Sequence, residues 1–395
     1  MKSEITIVGA GIGGLSLALA LEQKGINFRL YEQANSFEAL GYGIQISPNV
    51  VHILEKLGLK KQLERLSHIC LGFQLRSFNT NKILAEWKLD NKTPYYQCRR
   101  ADLHQLLFDM IQNKGRIYFS QCLESYEQKD NHLYLHLKNQ GSITAQAMVA
   151  ADGINSVIRQ SLFPQYQVRY SGYSAYRVIL PFHRKYHFLW GKATVWMGKN
   201  HHVVVYPNGN EQSPESWLNL VLVIKERKSN DQSWSVPADK TALAQDFANH
   251  SNELNLILED MIESPEPCFK WGLFIHEPLP YWSQSKVTLL GDAAHPMLPF
   301  QAQGAAMAIE DAYVLAQYLS NEKEMVEESF IKYEQARMKR TGAVQRLSRR
   351  NADIFHASGI KALTRNLILG LVSAIMPSLL NKRTAWIYDY KIENS

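Results

Sequence analysis

Four short apolar runs have the pattern of buried β-strands, and each leads into glycine or acidic residues. They are Ile5–Val8, Phe28–Tyr31, 148–151 and 287–290. The segment between the first two is strongly helical and ends at Gly25. Apolar strands that alternate with helices predict an open α/β sheet.

The middle of the chain follows a different period. Between Tyr166 and Pro280 the apolar residues alternate, and tryptophans accumulate. Residues 193–197, 202–206 and 217–225 are predicted as strands of an antiparallel sheet inserted into the first domain. Residues 117–137 also alternate and predict a hairpin. Residues 326–357 predict a long charged helix, and the apolar segment 367–376 predicts a further packed helix, an interfacial one being the alternative.

Composition excludes several classes of function. The net charge of +6 is modest, and the basic run 337–350 is interleaved with other residues, as on a solvated helix face, so no nucleic-acid partner is predicted. The four cysteines form no CxxC pair, which predicts neither a metal site nor disulfides and favours a reducing cytoplasm. No apolar segment is long enough for a stable membrane span. A homodimer is left open.

The first strand leads into a glycine-rich turn of the form GxGxxG. Gly9, Gly11 and Gly14 precede the helix, and Glu32 follows the second strand, 21 positions after Gly11. Such glycines let a pyrophosphate approach the backbone, and the acid binds a ribose hydroxyl. The pattern predicts a site for FAD or NAD rather than NADP, because a carboxylate disfavours a 2′-phosphate.

Residues 287–312 place a carboxylate and a helix N-terminus together. Asp292 follows a predicted strand, Pro296 and Pro299 stiffen the next segment, and a helix begins at Gly304. The helix dipole favours negative charge at its N-terminus, so the arrangement suits a reduced flavin.

Other candidate residues carry weaker signals. Gln45 lies in the glycine-rich segment 41–49, predicted as a loop before the helix at 50–59; the loop is a candidate flavin contact through Gln45, and a simple connection is the alternative. Arg100 lies near a helix start, where an anion would offset its charge. Asp152 follows a strand, and Ser156 is a candidate helix cap. His202 and Tyr206 share one face of a strand. Such a pair is more often buried in the core with its hydrogen bonds made within the protein. The alternative is that the pair faces a pocket, where it binds and deprotonates a phenol.

Three motifs together resemble a known family. The sequences GAGIGG at 9–14, ADGINS at 151–156 and GDAAHPMLP at 291–299 are similar to the signatures of single-component flavoprotein monooxygenases of the para-hydroxybenzoate hydroxylase family. The segments RRADL, SGYSAYR, WIYDY and PFQAQGAAMAIEDA resemble the salicylate hydroxylase branch.

The resemblance implies a role for each matching residue. Glu32 would bind the adenosine ribose of FAD, and Arg100 its phosphate or ribose region. Asp152 would serve both FAD and the nicotinamide cofactor, and Asp292 would hold the ribitol. Pro299 would lie near the flavin ring, with the amides of Gly304 and Ala305 near its N1–C2 edge. His202 resembles a substrate-pocket histidine, and Tyr206 lies close by.

The resemblance also implies a fold and a reaction. The fold is α/β (α+β), with a Rossmann-like FAD-binding domain at 1–75, 97–168 and 281–350. An antiparallel substrate domain at 76–96 and 169–280 is inserted, and helices follow at 351–395. NADH or NADPH would reduce FAD, and O2 would add at the flavin C4a carbon. The hydroperoxide would hydroxylate a small phenolic or pyridine-type aromatic, and the expected substrate carries a carboxylate. Alternatives are a larger apolar or polycyclic substrate and a non-catalytic escort protein.

Overall fold

The computed structural model describes residues 3–37, 42–90, 92–138, 141–209, 216–226, 236–247 and 252–392. The strands are β1 Ile5–Val8, β2 Phe28–Tyr31, β3 Gly43–Ile46, β4 His68–Ile69, β5 Gly72–Ser77, β6 Ile83–Lys88, β7 Tyr96–Arg99, β8 Ile117–Tyr118, β9 Leu123–Lys129, β10 His132–Leu137, β11 Gly141–Ala145, β12 Ala147–Ala150, β13 Arg169–Pro181, β14 Lys192–Gly198, β15 His201–Asn208, β16 Trp217–Lys225, β17 Val236–Pro237, β18 Phe269–Ile275, β19 Ser283–Gln284 and β20 Val287–Leu289. The α-helices are α1 Ile12–Gln23, α2 Pro48–Lys56, α3 Lys60–Leu66, α4 Arg100–Met110, α5 Val157–Leu162, α6 Lys240–Asp246, α7 Asn252–Glu263, α8 Gly304–Leu319, α9 Val326–Phe355, α10 Gly359–Ile375 and α11 Ser378–Tyr388.

The four predicted apolar runs lie side by side in one largely parallel sheet, with the order β19-β20-β12-β1-β2-β8. β1 pairs in parallel with β2 and β12, and β12 pairs in parallel with β20. All four residues of β1 and of β12 are buried, as expected of strands covered on both faces. Their carboxyl ends therefore meet at a single edge of the sheet.

The inserted region forms a sheet of order β17-β18-β13-β16-β15-β14-β5-β6, mostly antiparallel. Its two faces have different partners. Val203 and Val205 point into a core closed by α6 and α7, whereas His202, Val204 and Tyr206 point the other way, toward the first domain. The mixed α/β fold expected from the sequence is confirmed, and the domain limits remain predictions.

One local prediction was wrong, and another was confirmed only in part. The segment predicted as a loop at 41–49 contains β3, which pairs with β7, and α2 begins at Pro48; Gly41 lies outside the described residues. The segment 117–137 is not one hairpin. β8 extends the parallel sheet beside β2, and only β9 and β10 pair as a hairpin, because two turn residues separate them.

The C-terminal helices also depart from expectation. The segment predicted as a packed helix lies in α10, and its apolar residues are largely exposed, including Leu367 at 64% and Ile375 at 70%. α10 rests on β6, where Leu369 is buried and Ser373 bonds the backbone of Glu86. Within the described residues, no single helix is long and apolar enough to cross a membrane, although α10 and α11 together, bent by 95°, pass that length and composition test.

A buried charge cluster joins α8 to α9. Glu310 and Asp311 on α8 are fully buried, and Arg337 on α9 contacts both, at 2.6 and 2.7 Å. Arg340 adds a second contact to Glu310 at 2.8 Å, and the His295 ring contacts Asp311 at 2.6 Å. Burial alone would raise the pKa of Asp311, but His295 and Arg337 outweigh it and hold that pKa below its usual value. The cluster ties the middle of α8 to α9 and to His295 in the segment after β20.

Candidate active site

The glycine-rich turn after β1 has little room for side chains. A Cβ on Gly9 would lie 2.4 Å from the Ala151 carbonyl oxygen, and one on Gly14 would lie 1.9 Å from the Gly9 oxygen. Gly9 also has a φ of +100°, which glycine adopts most readily. A Cβ on Gly11, by contrast, would meet nothing within 4 Å. The turn thus packs on one side and leaves backbone accessible on the other, as a pyrophosphate cradle requires.

Glu32 braces this turn from the end of β2. Its carboxylate accepts hydrogen bonds from the amide of Ala10 at 2.7 Å and the amide of Ala34 at 2.8 Å. The side chain is partly exposed, and each oxygen retains lone-pair capacity. Glu32 therefore positions the turn and still presents acceptors suited to ribose hydroxyls.

Asp152 lies just beyond β12, next to the same turn. Oδ2 accepts the Val157 amide at 3.0 Å, whereas the buried Oδ1 has no partner among the described residues. Burial raises the pKa of Asp152 to about 6, despite the hydrogen bonds from Ser156 and from α5 amides. The predicted cap is confirmed, because Ser156 accepts the Arg159 amide.

Asp292 follows β20, in the short turn Gly291–Ala293. Asp292 is exposed at the cleft; desolvation by the surrounding protein raises its pKa, and the nearby charges of His295 and Arg100 oppose that rise. Arg100 opens α4, and burial lowers its pKa while Asp292 acts in the opposite direction. An acceptor and a cation therefore face one cleft at the carboxyl edge of the sheet.

Gly304 and Ala305 begin α8, as predicted, directly after the turn Pro299–Gln301. The side chain of Gln303, the residue before the helix, does not cap α8. The first N–H groups of the helix therefore remain available to a ligand. The amide group of Gln303 instead donates to Ser47 at 2.8 Å and ties α8 to the start of α2. This terminus is a fixed source of partial positive charge.

The inner face of the large sheet supplies a second set of side chains. Strand register places Arg177, Val221 and Val204 in one row across β13, β16 and β15. His202 lies on one side of this row, and Tyr206 lies on the other. Val204 and Val221 are only half-buried although they face the first domain. The row is therefore a partly exposed strip of the sheet face between His202 and Tyr206, and we take this strip as the candidate pocket.

Arg177 is the charged group of this pocket. It lies over the Trp271 ring at 4.6 Å, and its buried Nε has no hydrogen-bond partner among the described residues. Burial lowers its pKa, while Tyr206 and Tyr42 raise it and Arg100 lowers it further. Within the described part of the chain, no carboxylate lies within ion-pair distance of Arg177, so its charge is available to an anionic ligand.

Tyr206 belongs to a hydrogen-bonded chain of tyrosines. The hydroxyl of Tyr95 donates to Gln45 Oε1 at 2.7 Å, and Gln45 also bonds Tyr206. Tyr388, from α11, bonds Tyr95, and Gln301 approaches its hydroxyl at 3.4 Å. Burial raises the pKa of Tyr206, so this hydroxyl remains protonated. Gln45 thus contacts the pocket in this structure.

His202 is 1% exposed and hydrogen-bonded to another histidine. Its Nδ1 lies 2.6 Å from Nε2 of His356, which follows α9. The His202 ring packs with Phe300 and Phe355, and the His356 ring packs with Phe300. Burial, followed by His356 and His201, lowers the pKa of His202 well below its usual value, so the ring is neutral at pH 7.

These residues fit a flavin dinucleotide. The open side of Gly11, the acceptors of Glu32 and Asp292, and the uncapped start of α8 are the donors and acceptors that its pyrophosphate, hydroxyls and ring edge need. They follow β1, β2 and β20 or begin α8, along one edge of the sheet. The chain also matches a family model described as an FAD binding domain over residues 2–348.

The chain belongs to that family. It is a single-component FAD-dependent aromatic monooxygenase, with NAD(P)H as the reductant typical of the family. This monooxygenase is 33% identical to 3-hydroxybenzoate 6-hydroxylase 1 of Aquipseudomonas alcaligenes, over 98% of both chains. It is 33% identical to 6-hydroxynicotinate 3-monooxygenase of Pseudomonas fluorescens, over 88% of this chain and 90% of that protein.

Solved structures support the fold of the monooxygenase. A salicylate hydroxylase substrate complex matches with a TM-score of 0.82 at 22% identity, over 98% of this chain and 96% of that one. Klebsiella pneumoniae HpxO complexed with FAD and uric acid matches with a TM-score of 0.84 at 21% identity, over 96% of each chain. At these identities the likeness concerns the fold alone.

Sequence reasoning missed several residues of the monooxygenase's candidate site. Arg177 lay within the noted SGYSAYR segment, and its place on the same strand face as Tyr173 was a usable signal. Tyr388 also lay within a noted segment, WIYDY, whereas Tyr95 and His356 gave no comparable signal, because both are far from β15 in sequence.

Proposed function

We propose that this monooxygenase hydroxylates a small phenolic or pyridine-type aromatic that carries a carboxylate. The observation that carries the proposal is the pocket on the large sheet, where the cationic Arg177 lies in the row between His202 and Tyr206. The relatives named for 3-hydroxybenzoate and 6-hydroxynicotinate support the same substrate class. A ring lying on Val204 and Val221 would present a carboxylate toward Arg177 and a hydroxyl toward His202.

Each side chain then has a distinct task. Arg177 binds the carboxylate through charge-assisted hydrogen bonds. His202, neutral at pH 7, accepts the proton of the substrate hydroxyl at Nε2, which makes the ring more electron-rich. Tyr206 donates a hydrogen bond whose direction is fixed by Gln45. Phe300 and the two valines keep water from the ring.

We also propose which residues hold FAD. Gly9, Gly11 and Gly14 would form the pyrophosphate turn, with Glu32 on the adenosine ribose. Asp292 would bind the ribitol and Arg100 the phosphate or ribose region, while Asp152 would serve FAD and the nicotinamide cofactor. Pro299, Gly304 and Ala305 would face the ring. Bound FAD, reduced by NAD(P)H, supplies the activated oxygen taken from O2.

A substrate panel tests the proposal. Hydroxylated benzoates and pyridine carboxylates are offered to the FAD-loaded enzyme, each beside its decarboxylated counterpart, and product, NAD(P)H oxidation and peroxide are measured together. We expect coupled hydroxylation of at least one acid and weak activity on its counterpart. Hydroxylation that is equally efficient on both members of every pair contradicts the role of the carboxylate.

A larger apolar or polycyclic substrate is the second candidate. The exposed apolar face of α10 favours it, because such a surface suits a ligand drawn from a membrane. A quinone, a polyketide and a tetracycline in the same panel separate the two candidates.

Two further proposals concern the whole molecule. The four free cysteines, three of them buried, favour a reducing cytoplasm. The exposed apolar face of α10 favours a homodimer. Sedimentation of the protein across a concentration series measures whether the dimer forms. A constant monomer mass over that series contradicts the dimer.

A further inference from the structure

His356 lies outside the sheet that carries the pocket, yet its ring is hydrogen-bonded to the proposed base, His202. Its Nε2 is 2.6 Å from Nδ1 of His202, and 154 positions of sequence separate the two. The two rings are tilted by 40° with centroids 4.8 Å apart, and Tyr173 and Phe300 pack against His356. The contact is therefore a buried imidazole–imidazole hydrogen bond.

The other ring nitrogen of His356 points away from His202. This Nδ1 is buried and has no hydrogen-bond partner among the described residues. Buried polar atoms in native proteins are almost always paired with protein or water. The chain returns to solvent directly after His356, since Ala357 is half-buried and Ser358 and Gly359 are exposed. His356 thus lies between the pocket and the surface.

The surroundings of the pair disfavour a stored positive charge. The titratable or charged groups nearby are His201 on β15, Lys225 on β16, Tyr173 on β13, Asp353 on α9 and Arg365 on α10. Burial and, after it, the charges of His201, Lys225 and Arg365 together lower the pKa of His356 to about 3. A proton that enters the pair therefore has to leave it.

We propose that His356 is the second member of a proton relay that carries the substrate's hydroxyl proton from His202 to solvent at the α9–α10 turn. The inference rests on the proposed function, because it takes His202 as the base. In the resting pair, His202 Nδ1–H donates to His356 Nε2, and His356 carries its own proton on Nδ1.

The transfer balances atom by atom. The O–H bond of the phenol breaks, and its proton bonds to His202 Nε2. The Nδ1 proton of His202 moves to His356 Nε2, and the Nδ1 proton of His356 passes to water. The phenolate keeps the electron pair, and no redox change occurs. The reverse sequence returns a proton to the product oxygen and resets both tautomers.

The test compares wild type with His356→Gln, since a glutamine can still hydrogen-bond His202 but cannot pass a proton through a ring. FAD-loaded protein is mixed with 3-hydroxybenzoate in weakly buffered solution containing an indicator dye. Proton release to the medium and the ultraviolet band of the phenolate are followed by stopped flow. His276→Gln, at a buried histidine that contacts the Glu277 carbonyl, is the matched control.

We expect His356→Gln to slow proton release about 10- to 100-fold, while the affinity for 3-hydroxybenzoate and the FAD content stay near wild type. The control should release its proton at the wild-type rate. The double variant His202→Gln/His356→Gln should be no slower than His202→Gln alone, because both act in one path.

Two outcomes are distinguishable failures. If 3-hydroxybenzoate binds and wild-type enzyme releases a proton, but His356→Gln does so equally fast, His356 is a packing residue and the relay is wrong. If neither 3-hydroxybenzoate nor any other phenolic acid of the panel binds, the proposed function fails, and the relay fails with it.

Discussion

The buried cluster between α8 and α9 predicts a large loss of stability when one side chain, Arg337, is replaced. Arg337 is fully buried and contacts Glu310 and Asp311, which are equally buried. Replacement by methionine keeps the approximate volume and removes the charge. Two carboxylates then lose a buried cation, which typically costs about 3–5 kcal/mol. Arg340 still reaches Glu310, so the larger part of the loss falls on Asp311.

The magnitude can be converted into a melting temperature. Unfolding entropy of about 2.1 cal/mol/K per residue gives roughly 0.8 kcal/mol/K for a chain of this length. A loss of about 3–5 kcal/mol therefore lowers the Tm of Arg337→Met by roughly 4–6 °C. Lys332→Met, which removes the exposed pair with Glu324, is the control on the same helix, and its Tm should move by about 1 °C or less.

The dependence on pH gives the refuting result. In wild type the pKa of Asp311 is lowered, so its ion pair stabilises the fold above the unfolded-state pKa and is lost as the pH falls through the folded one. In Arg337→Met the same carboxylate loses its cation, keeps its contact with His295, and gains from protonation. The Tm difference should therefore shrink below about pH 4. A deficit no larger than that of Lys332→Met, or one that does not shrink as the pH falls below about 4, refutes the reasoning.

Four further predictions concern the candidate site. Asp292→Ala should purify with little flavin because the ribitol acceptor is lost, and full flavin occupancy in the visible spectrum would remove that role. Asp152→Asn should raise the Tm of the flavin-free protein at pH 7 but not at pH 4. A carboxyl whose folded pKa is raised to about 6 costs stability as the pH rises from about 4 to 6. If the variant and the wild type have equal Tm values at both pH 7 and pH 4, the burial cost is contradicted. Arg177→Gln should raise KM for an aromatic acid about 10- to 100-fold and leave its decarboxylated counterpart unaffected, and steady-state kinetics on both separates charge from packing. Gly14→Ala should destabilise the protein and lose flavin because its Cβ meets the Gly9 oxygen, whereas Gly11→Ala, the control, should keep its Tm; equal Tm losses would count against the packing argument.

The sequence predicted the strands and turns that carry the candidate cofactor residues, for a local reason. Gly9 and Glu32 lie in one strand–turn–helix–strand unit, whose spacing is fixed by the geometry of neighbouring parallel strands. Asp292 was predictable for a similar reason, because it directly follows a short, wholly apolar strand.

The substrate half was less predictable. The alternation on β15 placed His202 and Tyr206 on one face, but it did not distinguish the two faces of the sheet. Nothing local to His202 indicated His356, since contacts over 154 positions depend on how helices dock. The segment 367–376 was predicted as packed because it is apolar, yet packing also requires a neighbour, and α10 has mainly β6.

The order of strands in the parallel sheet has a consequence for biosynthesis. β12 and β20 are hydrogen-bonded neighbours, with Val149 opposite Thr288, yet 139 residues of sequence separate that pair. At about 5–20 residues per second, a ribosome takes roughly 7–28 s to synthesise the intervening segment. During that interval β12 lacks one of its two neighbours, and the pyrophosphate turn is finished before Asp292 or α8 exists. A nascent chain can thus form the adenosine half of its cofactor site long before the flavin half, and the inserted sheet emerges between them.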